Sequence, residues 1–222
     1  MDRYMFLNKI NLILILLYSF LSYSQPMLDI LGNEYQITNN EIQKKEFNKV
    51  YKYKNIVLGR VNRIDIVNPL QTLVYYKNQN TVVLLDKYLS EIQTINLLEI
   101  LPEIQNNYAG MANQNQLWLF DVHSKRIILY SILNENYRYI TTNLEDEISW
   151  MNSNLNYLLY LTKAGKLYEV DIYGKINFID VLPPNARLEI IKNTGKVIDN
   201  QNEKILFEYQ IKNGKLEGRI NN

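Results

Sequence analysis

The chain has 222 residues, of which 47% are hydrophobic, 12% aromatic and 21% charged, with a formal net charge of +1. This length can bury a full hydrophobic core, and the near-neutral balance argues against a nucleic-acid or membrane binder that relies on overall charge. The absence of cysteine excludes disulfides, thiolate metal sites and a cysteine nucleophile. The single histidine, His123, excludes any mechanism that needs two imidazoles.

The residue usage favours β structure. The chain has 27 Ile and 18 Tyr, which favour strands, but only 4 Ala, the best helix former. Its 30 Asn suit turns, because asparagine tolerates left-handed backbone and bonds to nearby amides. We therefore expect an all-β protein with many turns.

The first 24 residues have the three parts of a secretory signal peptide. Arg3 and Lys9 form a basic start, residues 10–21 form an apolar core, and small residues precede a cleavage point before Gln25. A permanent membrane helix is the alternative, but this core covers only about 18 Å of a hydrocarbon layer of about 30 Å. The sequence predicts that residues 1–24 are cleaved. Residues 25–222 would then form one domain in the periplasm or at the outer membrane, without a permanent membrane span.

Short apolar or alternating runs recur after the predicted cleavage point, separated by Asn- and Gly-rich turns that are typical of hairpins. The segment 88–101 is the best helix candidate, but it is rich in β-branched residues and ends at Pro102, so we expect a strand followed by a loop. The clearest strand-like runs cover residues 73–76, 81–86, 116–121, 127–132, 157–162, 166–171, 176–181 and 205–209.

The runs also repeat. Three of them end in Asp86, Asp121 and Asp171, which are 35 and then 50 residues apart, and each aspartate is expected to accept hydrogen bonds from turn amides. Looser copies at 49–53 and 204–208 bring the number of units to about five. A period of about 40–45 residues with four short strands per unit is typical of propeller blades. The sequence predicts a propeller-like array of about four to six four-stranded antiparallel blades, complete or incomplete, with a β-sandwich as the alternative.

Two segments resemble known propellers. LWLFDVHSKRIILYSI, residues 117–132, resembles blades of YncE- and NHL-like propellers. Residues 68–97 are similar to a group of exported propeller-like proteins of Bacteroidota without an assigned function, as is the signal ending SYSQ. The resemblance implies a propeller fold and export, and it carries over no catalytic residue.

We expect such a propeller to close by pairing residues 46–53 with residues 205–216, because these are the two weakest copies of the repeat. Unpaired strand edges would otherwise invite strand addition by another protein.

Few residues suggest chemistry. His123 follows Asp121 by two residues, which places it in an exposed turn, and no paired serine nucleophile accompanies it. The contiguous acids Glu145, Asp146 and Glu147 lack the spacing and the glycine of a calcium loop, so we expect a solvated loop. The sequence predicts no catalytic residue, no metal site and no cofactor.

Two function classes remain. The first is an exported, non-enzymatic binding or assembly module of the bacterial cell envelope, whose propeller loops bind an envelope protein or a small ligand. The alternative is an exported glycan-active hydrolase or lyase, which would place His123 beside two or more buried carboxylates in one funnel. Loops at 106–115 and 144–149 would face the ligand. The side chains predicted to contact it are Tyr108, Trp118, His123 and Trp150.

Overall fold

The computed structural model describes residues 26–113, 115–191, 194–212 and 215–220. Twenty strands in this part of the chain form five four-stranded antiparallel sheets, and in each sheet the strands follow chain order. The predicted signal peptide, residues 1–24, lies outside the described residues. Among the residues that are described, no helix is long and apolar enough to cross a membrane.

Each sheet is one blade. Blade 1 contains β1 (Met27–Leu28), β2 (Glu34–Thr38), β3 (Glu41–Glu46) and β4 (Lys49–Tyr53). Blade 2 contains β5 (Arg63–Asn68), β6 (Gln71–Tyr76), β7 (Thr81–Asp86) and β8 (Glu91–Asn96). Blade 3 contains β9 (Asn106–Ala112), β10 (Gln116–Asp121), β11 (Arg126–Ser131) and β12 (Asn136–Tyr139).

The remaining two blades have the same plan. Blade 4 contains β13 (Ile148–Ser153), β14 (Tyr157–Thr162), β15 (Lys166–Asp171) and β16 (Ile176–Val181). Blade 5 contains β17 (Ala186–Ile191), β18 (Thr194–Asp199), β19 (Ile205–Lys212) and β20 (Lys215–Ile220). A 3₁₀ turn, Lys77–Gln79, and one helical turn, α1 (Leu97–Ile100), complete the regular structure of the described residues. The segment predicted as a strand and a loop is therefore β8 followed by α1.

Four apolar clusters join consecutive blades. Each cluster takes side chains from the facing sides of two neighbouring sheets, for example Tyr35 and Val74 between blades 1 and 2. In the central blades 2 to 4, the second and third strands are packed on both faces, so β10 and β14 are buried almost throughout and have almost continuous apolar sequences. The fourth strand is the outermost and is largely exposed, as in β8. This radial stacking of five four-stranded sheets is a five-bladed β-propeller, which confirms the predicted fold class.

The predicted closure is wrong. Strand β4 pairs with β3, and β19 pairs with β18 and β20, so no described residue of 46–53 pairs with a described residue of 205–216. Blades 1 and 5 each take all four strands from their own stretch of the described residues. In the described parts of the chain, the four apolar clusters serve only consecutive blades, and none joins blade 1 to blade 5.

The uneven spacing of the marker aspartates also has a structural cause. Asp86 and Asp171 end third strands, whereas Asp121 ends a second strand. Asp86 and Asp171 are 85 residues apart, which is two blades. Their predicted turn role is confirmed, because Asp171 Oδ1 accepts hydrogen bonds from the backbone N–H groups of Tyr173 and Lys175, both at 2.9 Å.

Candidate functional site

The connection between the third and fourth strand of each blade is called its outer turn. The outer turns of blades 1 to 4 comprise residues 47–48, 87–90, 132–135 and 172–175. The connection between the second and third strand is the middle turn, which comprises residues 39–40, 77–80, 122–125, 163–165 and 200–204. Antiparallel pairing places the two kinds of turn at opposite ends of a blade, and rotation about the propeller axis places equivalent turns in one ring.

Each of these four outer turns exposes one large apolar side chain. The exposed fractions are 92% for Phe47, 48% for Tyr88, 80% for Leu133 and 82% for Tyr173. The middle turns are polar by contrast, and their most exposed large apolar side chain is Val122, at 38%. Single exposed apolar residues are common on protein surfaces, and here they recur in the equivalent turn of four successive blades. The ring of outer turns is therefore the candidate binding surface.

A cleft lies between the outer turns of blades 1 and 2. Its volume is about 360 Å³, at the small end of the ~300–1,000 Å³ range of ligand pockets. The rings of Tyr51 and Tyr88 meet in this cleft with centroids 5.3 Å apart and planes inclined by 51°. The cleft is lined by Glu46, Phe47, Asn48, Lys49, Tyr51, Lys87 and Tyr88.

Phe47 has a backbone conformation that does not suit its side chain. Its φ is +50°, in the left-handed region, which costs roughly 1–2 kcal/mol for a residue other than glycine. The middle turn of the same blade has the same requirement and meets it with Asn39 and Asn40, at φ of +52° and +62°. The fold thus holds an aromatic ring in water at a position where asparagine or glycine would be less strained.

The wall of the cleft that belongs to blade 2 is held by hydrogen bonds and by apolar packing. Asp86 Oδ1 accepts hydrogen bonds from the N–H groups of Tyr88 and Ser90, both at 2.8 Å, and Leu89 anchors the turn in the apolar cluster between blades 1 and 2. Lys44 crosses from blade 1, where it is almost fully buried, and its ammonium donates to the Lys87 carbonyl at 2.9 Å. The two walls are therefore tied together before any ligand binds.

The cleft carries local positive charge. The Lys44 ammonium lies 4.0 Å from the Glu46 carboxylate, and these two charges offset each other. Neither Lys49 nor Lys87 has a carboxylate within ion-pair distance among the described residues. Hydrogen bonding to Tyr88 raises the pKa of Lys87, so this ammonium stays charged at neutral pH.

A second polar cluster lies where the inner strands converge on the propeller axis. The Asp65 carboxylate of β5 accepts hydrogen bonds from the Met111 N–H of β9 at 3.0 Å and from the Ser153 hydroxyl of β13 at 2.5 Å. Gly110 packs so closely here that an added Cβ would lie 1.9 Å from Ser153 Oγ. Arg63 lies 3.7 Å from the Asp65 carboxylate. These contacts bind three blades together, and the Asp65 oxygens are satisfied by protein donors.

Tyr108 lies in this axial region, on inner strand β9. The predicted loop at 106–115 is therefore wrong over most of its length, because residues 106–112 form β9. The Arg63 guanidinium lies 4.7 Å from the centre of the Tyr108 ring, and burial raises the pKa of Tyr108 to about 12. Its hydroxyl has no hydrogen-bond partner among the described residues, so a ligand contact by Tyr108 stays a prediction.

The other predicted ligand residues lie apart from one another. Trp118 is fully buried between blades 3 and 4, where its indole N–H donates to the Asn154 carbonyl at 2.8 Å, so it has no surface to offer a ligand in this structure. Trp150 packs against the cluster between blades 4 and 5. The other predicted loop, residues 144–149, overlaps the start of β13 at Ile148, and Trp150 belongs to that strand.

His123 lies in the middle turn of blade 3 and is exposed, and its backbone N–H donates a hydrogen bond to the buried carboxylate of Asp121. It is not among the residues that line the cleft. The funnel expected for an enzyme, with His123 beside two or more buried carboxylates, is not seen in the described residues. No group of three or more Asp, Glu or His side chains in this part of the chain could hold a metal ion.

Sequence reasoning missed Phe47 and Tyr88. Neither belongs to a chemical motif, and their only common signal is position, since each follows the third strand of a blade. This position can be recognised only after the strands of blades 1 and 2 have been assigned. The marker aspartates did not allow that assignment, because Asp86 and Asp171 end third strands whereas Asp121 ends a second strand.

The comparisons with known proteins support the fold alone. No protein-family model and no curated protein matches the sequence. Similar solved structures include virginiamycin B lyase from Staphylococcus aureus, with 16% identity, a TM-score of 0.51 and coverage of 81% of this chain and 67% of that chain. YCF48 bound to D1 peptide has 13% identity, a TM-score of 0.53 and coverage of 74% and 57%.

The WD40 β-propeller domain of Doa1 is also similar, with 10% identity, a TM-score of 0.52 and coverage of 77% of this chain and 57% of that chain. The chain thus spans between about half and two thirds of the length of these structures. Identities this low carry no function from one protein to another. The similarity of these structures, together with the five blades, places the chain in the class of β-propeller proteins.

Proposed function

We propose that this chain is a non-enzymatic binding or assembly module of the bacterial cell envelope that binds a partner protein through its ring of outer turns. The observation that carries the proposal is the contrast between outer turns with one exposed apolar side chain each and middle turns that are polar. Aromatic side chains are enriched at the centres of protein interfaces, where they supply most of the binding energy.

A ring of separate contact points suits a broad protein surface. Phe47, Tyr88, Leu133 and Tyr173 belong to four successive blades, so a small molecule could contact only a fraction of them. The YCF48 structure holds a peptide, and a scaffold of this class can therefore carry a peptide site. No observation in the described residues favours the alternative of a glycan-active enzyme.

Export belongs to the same proposal. It rests on the basic, apolar and small-residue parts of residues 1–24. Intact-mass measurement of the protein from cells that naturally make it should show a chain beginning at Gln25. Retention of residues 1–24 in the envelope fraction would instead indicate an uncleaved anchor, and recovery in the cytoplasm would contradict export.

Photo-crosslinking tests the binding surface. A photoreactive phenylalanine analogue is placed at Leu133 or Tyr173, in outer turns, and at His123 or Ala164 as matched controls in the middle turns of the same blades. Irradiation of intact cells should produce covalent protein adducts from the outer-turn positions and not from the controls. Equal adducts at both kinds of turn, or adducts only from the middle turns, would contradict the proposal.

A further inference from the structure

We infer that the cleft between the outer turns of blades 1 and 2 binds an acidic segment of the partner protein. In this arrangement an extended peptide inserts one large apolar side chain between Phe47 and Tyr88, and its flanking carboxylates pair with Lys49 and Lys87. The inference rests on the proposed function, since it names the chemistry of the partner at one part of the same ring.

The backbone of Phe47 supports a role outside the fold. The phenyl ring is exposed and the residue is held in the left-handed region, and both features oppose folding. Leu89 has a similar backbone conformation, but its side chain is buried and stabilises the blade interface. Phe47 makes no such contribution, because most of its surface is in water. Residues with strained backbone cluster at ligand-binding sites, and Phe47 combines this strain with an exposed aromatic ring.

The charges select the class of partner. Among the described residues, neither Lys49 nor Lys87 has a carboxylate within ion-pair distance, and the one carboxylate that lines the cleft, Glu46, lies 4.0 Å from the Lys44 ammonium, in a chain whose formal net charge is only +1. A partner that brings carboxylates is attracted to this cleft, and one that brings ammonium or guanidinium groups is repelled. The Tyr51 and Tyr88 rings add apolar walls that accept the stem of the inserted side chain.

The shape separates a peptide from the other polyanions of an envelope. The cleft is concave, with a volume of about 360 Å³, so it accepts a protruding side chain, whereas an anionic bilayer offers a flat surface. Rings inclined by 51° form no flat platform on which an acidic sugar could stack. An acidic peptide with one large apolar residue fits both the shape and the charge.

Selection from a library of short random peptides, with the folded chain as bait, tests the inference. The selected peptides should combine Asp or Glu with one aromatic or large aliphatic residue. A selected peptide is then synthesised with its acids intact and with each acid replaced by its amide, and its affinity is measured by fluorescence anisotropy. Loss of the acids should weaken binding about tenfold or more, and so should high salt or the double variant Lys49→Gln with Lys87→Gln.

Phe47→Asn is the decisive variant. Asparagine tolerates the left-handed backbone, so the melting temperature should stay the same or rise, while peptide affinity falls about tenfold or more. Val57→Asn is the matched control, because it removes an apolar side chain that is 89% exposed from the connection between β4 and β5, outside the ring of outer turns and outside the cleft. It should leave peptide affinity unchanged.

Three results would overturn the inference. The first is that the selected peptides are neutral or basic, and the second is that Phe47→Asn leaves peptide binding unchanged. The third is that no peptide binds, while vesicles of equal parts phosphatidylcholine and phosphatidylglycerol bind in a way that depends on Phe47. The last result would assign the cleft to a lipid surface. None of them decides the proposed function, which crosslinking at Leu133 and Tyr173 tests independently.

Discussion

Replacement of Gly110 by alanine should destabilise the whole propeller. The new Cβ would lie 1.9 Å from Ser153 Oγ, 2.7 Å from Ser153 Cβ and 3.0 Å from Asp65 Oδ2. Carbon atoms in ordinary contact are about 3.5–4.0 Å apart, so β9 and β13 would have to separate by roughly 1 Å or more. The methyl group therefore cannot be accommodated by a side-chain rotation alone.

The cost has two parts. Overpacking of a tight interior costs about 1–3 kcal/mol. Displacement of the Ser153 hydroxyl also removes a hydrogen bond to the buried Asp65 carboxylate, which is worth about 1.5–3 kcal/mol. Alanine regains roughly 0.5–1 kcal/mol over glycine in a strand. We expect a net loss of about 2–5 kcal/mol, against a total stability of about 5–15 kcal/mol.

Urea unfolding followed by tryptophan fluorescence measures this loss. With a slope of about 2–3 kcal/mol per molar urea, the midpoint should fall by about 1–2 M. Gly195→Ala is the control, because its new Cβ meets only the ends of flexible side chains, at 3.1 Å and beyond. Adding Ser153→Gly to Gly110→Ala should recover part of the loss. A Gly110→Ala midpoint equal to that of the unchanged protein would refute the packing argument.

Three further predictions concern single side chains. Asp171→Ala should lower stability by about 1–2 kcal/mol in urea unfolding, because two turn amides lose their acceptor, whereas Asp171→Asn should retain most of it. Burial raises the pKa of Glu169, so its ionised form opposes folding and stability falls as pH rises through that raised pKa. Glu169→Gln should therefore raise the urea midpoint at pH 7 and have no effect below the ordinary glutamate pKa. Lys44→Met should change global stability little but speed amide hydrogen exchange in residues 87–90, measured by mass spectrometry; unchanged exchange would contradict its tying role.

The sequence predicted the strands that are buried on both faces. The apolar runs at 81–86, 116–121 and 157–162 are β7, β10 and β14, because a strand packed between two blades needs apolar residues throughout. The first strands of the blades were harder to predict. Strand β9, with sequence NNYAGMA, contains asparagine and glycine that are typical of loops, and it is a strand because its neighbours hold it at the axis.

The site depended on information that a single sequence lacks. Tyr108 was predicted as a ligand residue, whereas the polar cluster of Asp65 beside it was not predicted. Asp65 contacts Met111 and Ser153, which are 46 and 88 residues away in the sequence, and no local sequence pattern indicates such contacts. Phe47 was overlooked because one aromatic residue between two strands has no distinctive local signal. Its backbone angle and its neighbour Tyr88 become visible only when blades 1 and 2 are packed together.

Blades 1 and 5 each have one face that no apolar cluster of the described residues covers. Side chains alternate along a strand, so the face of blade 1 opposite Tyr35 carries charged residues, and so does the face of blade 5 opposite Phe207. The ion pairs on these faces are Lys45–Glu34, Lys52–Glu41, Arg187–Glu189 and Lys196–Glu208. Such exposed pairs add little stability, but they make these two faces compatible with water. The two uncovered faces thus carry charge, whereas the outer turns of blades 1 to 4 each expose one large apolar side chain, which is the contrast that a partner-binding surface requires.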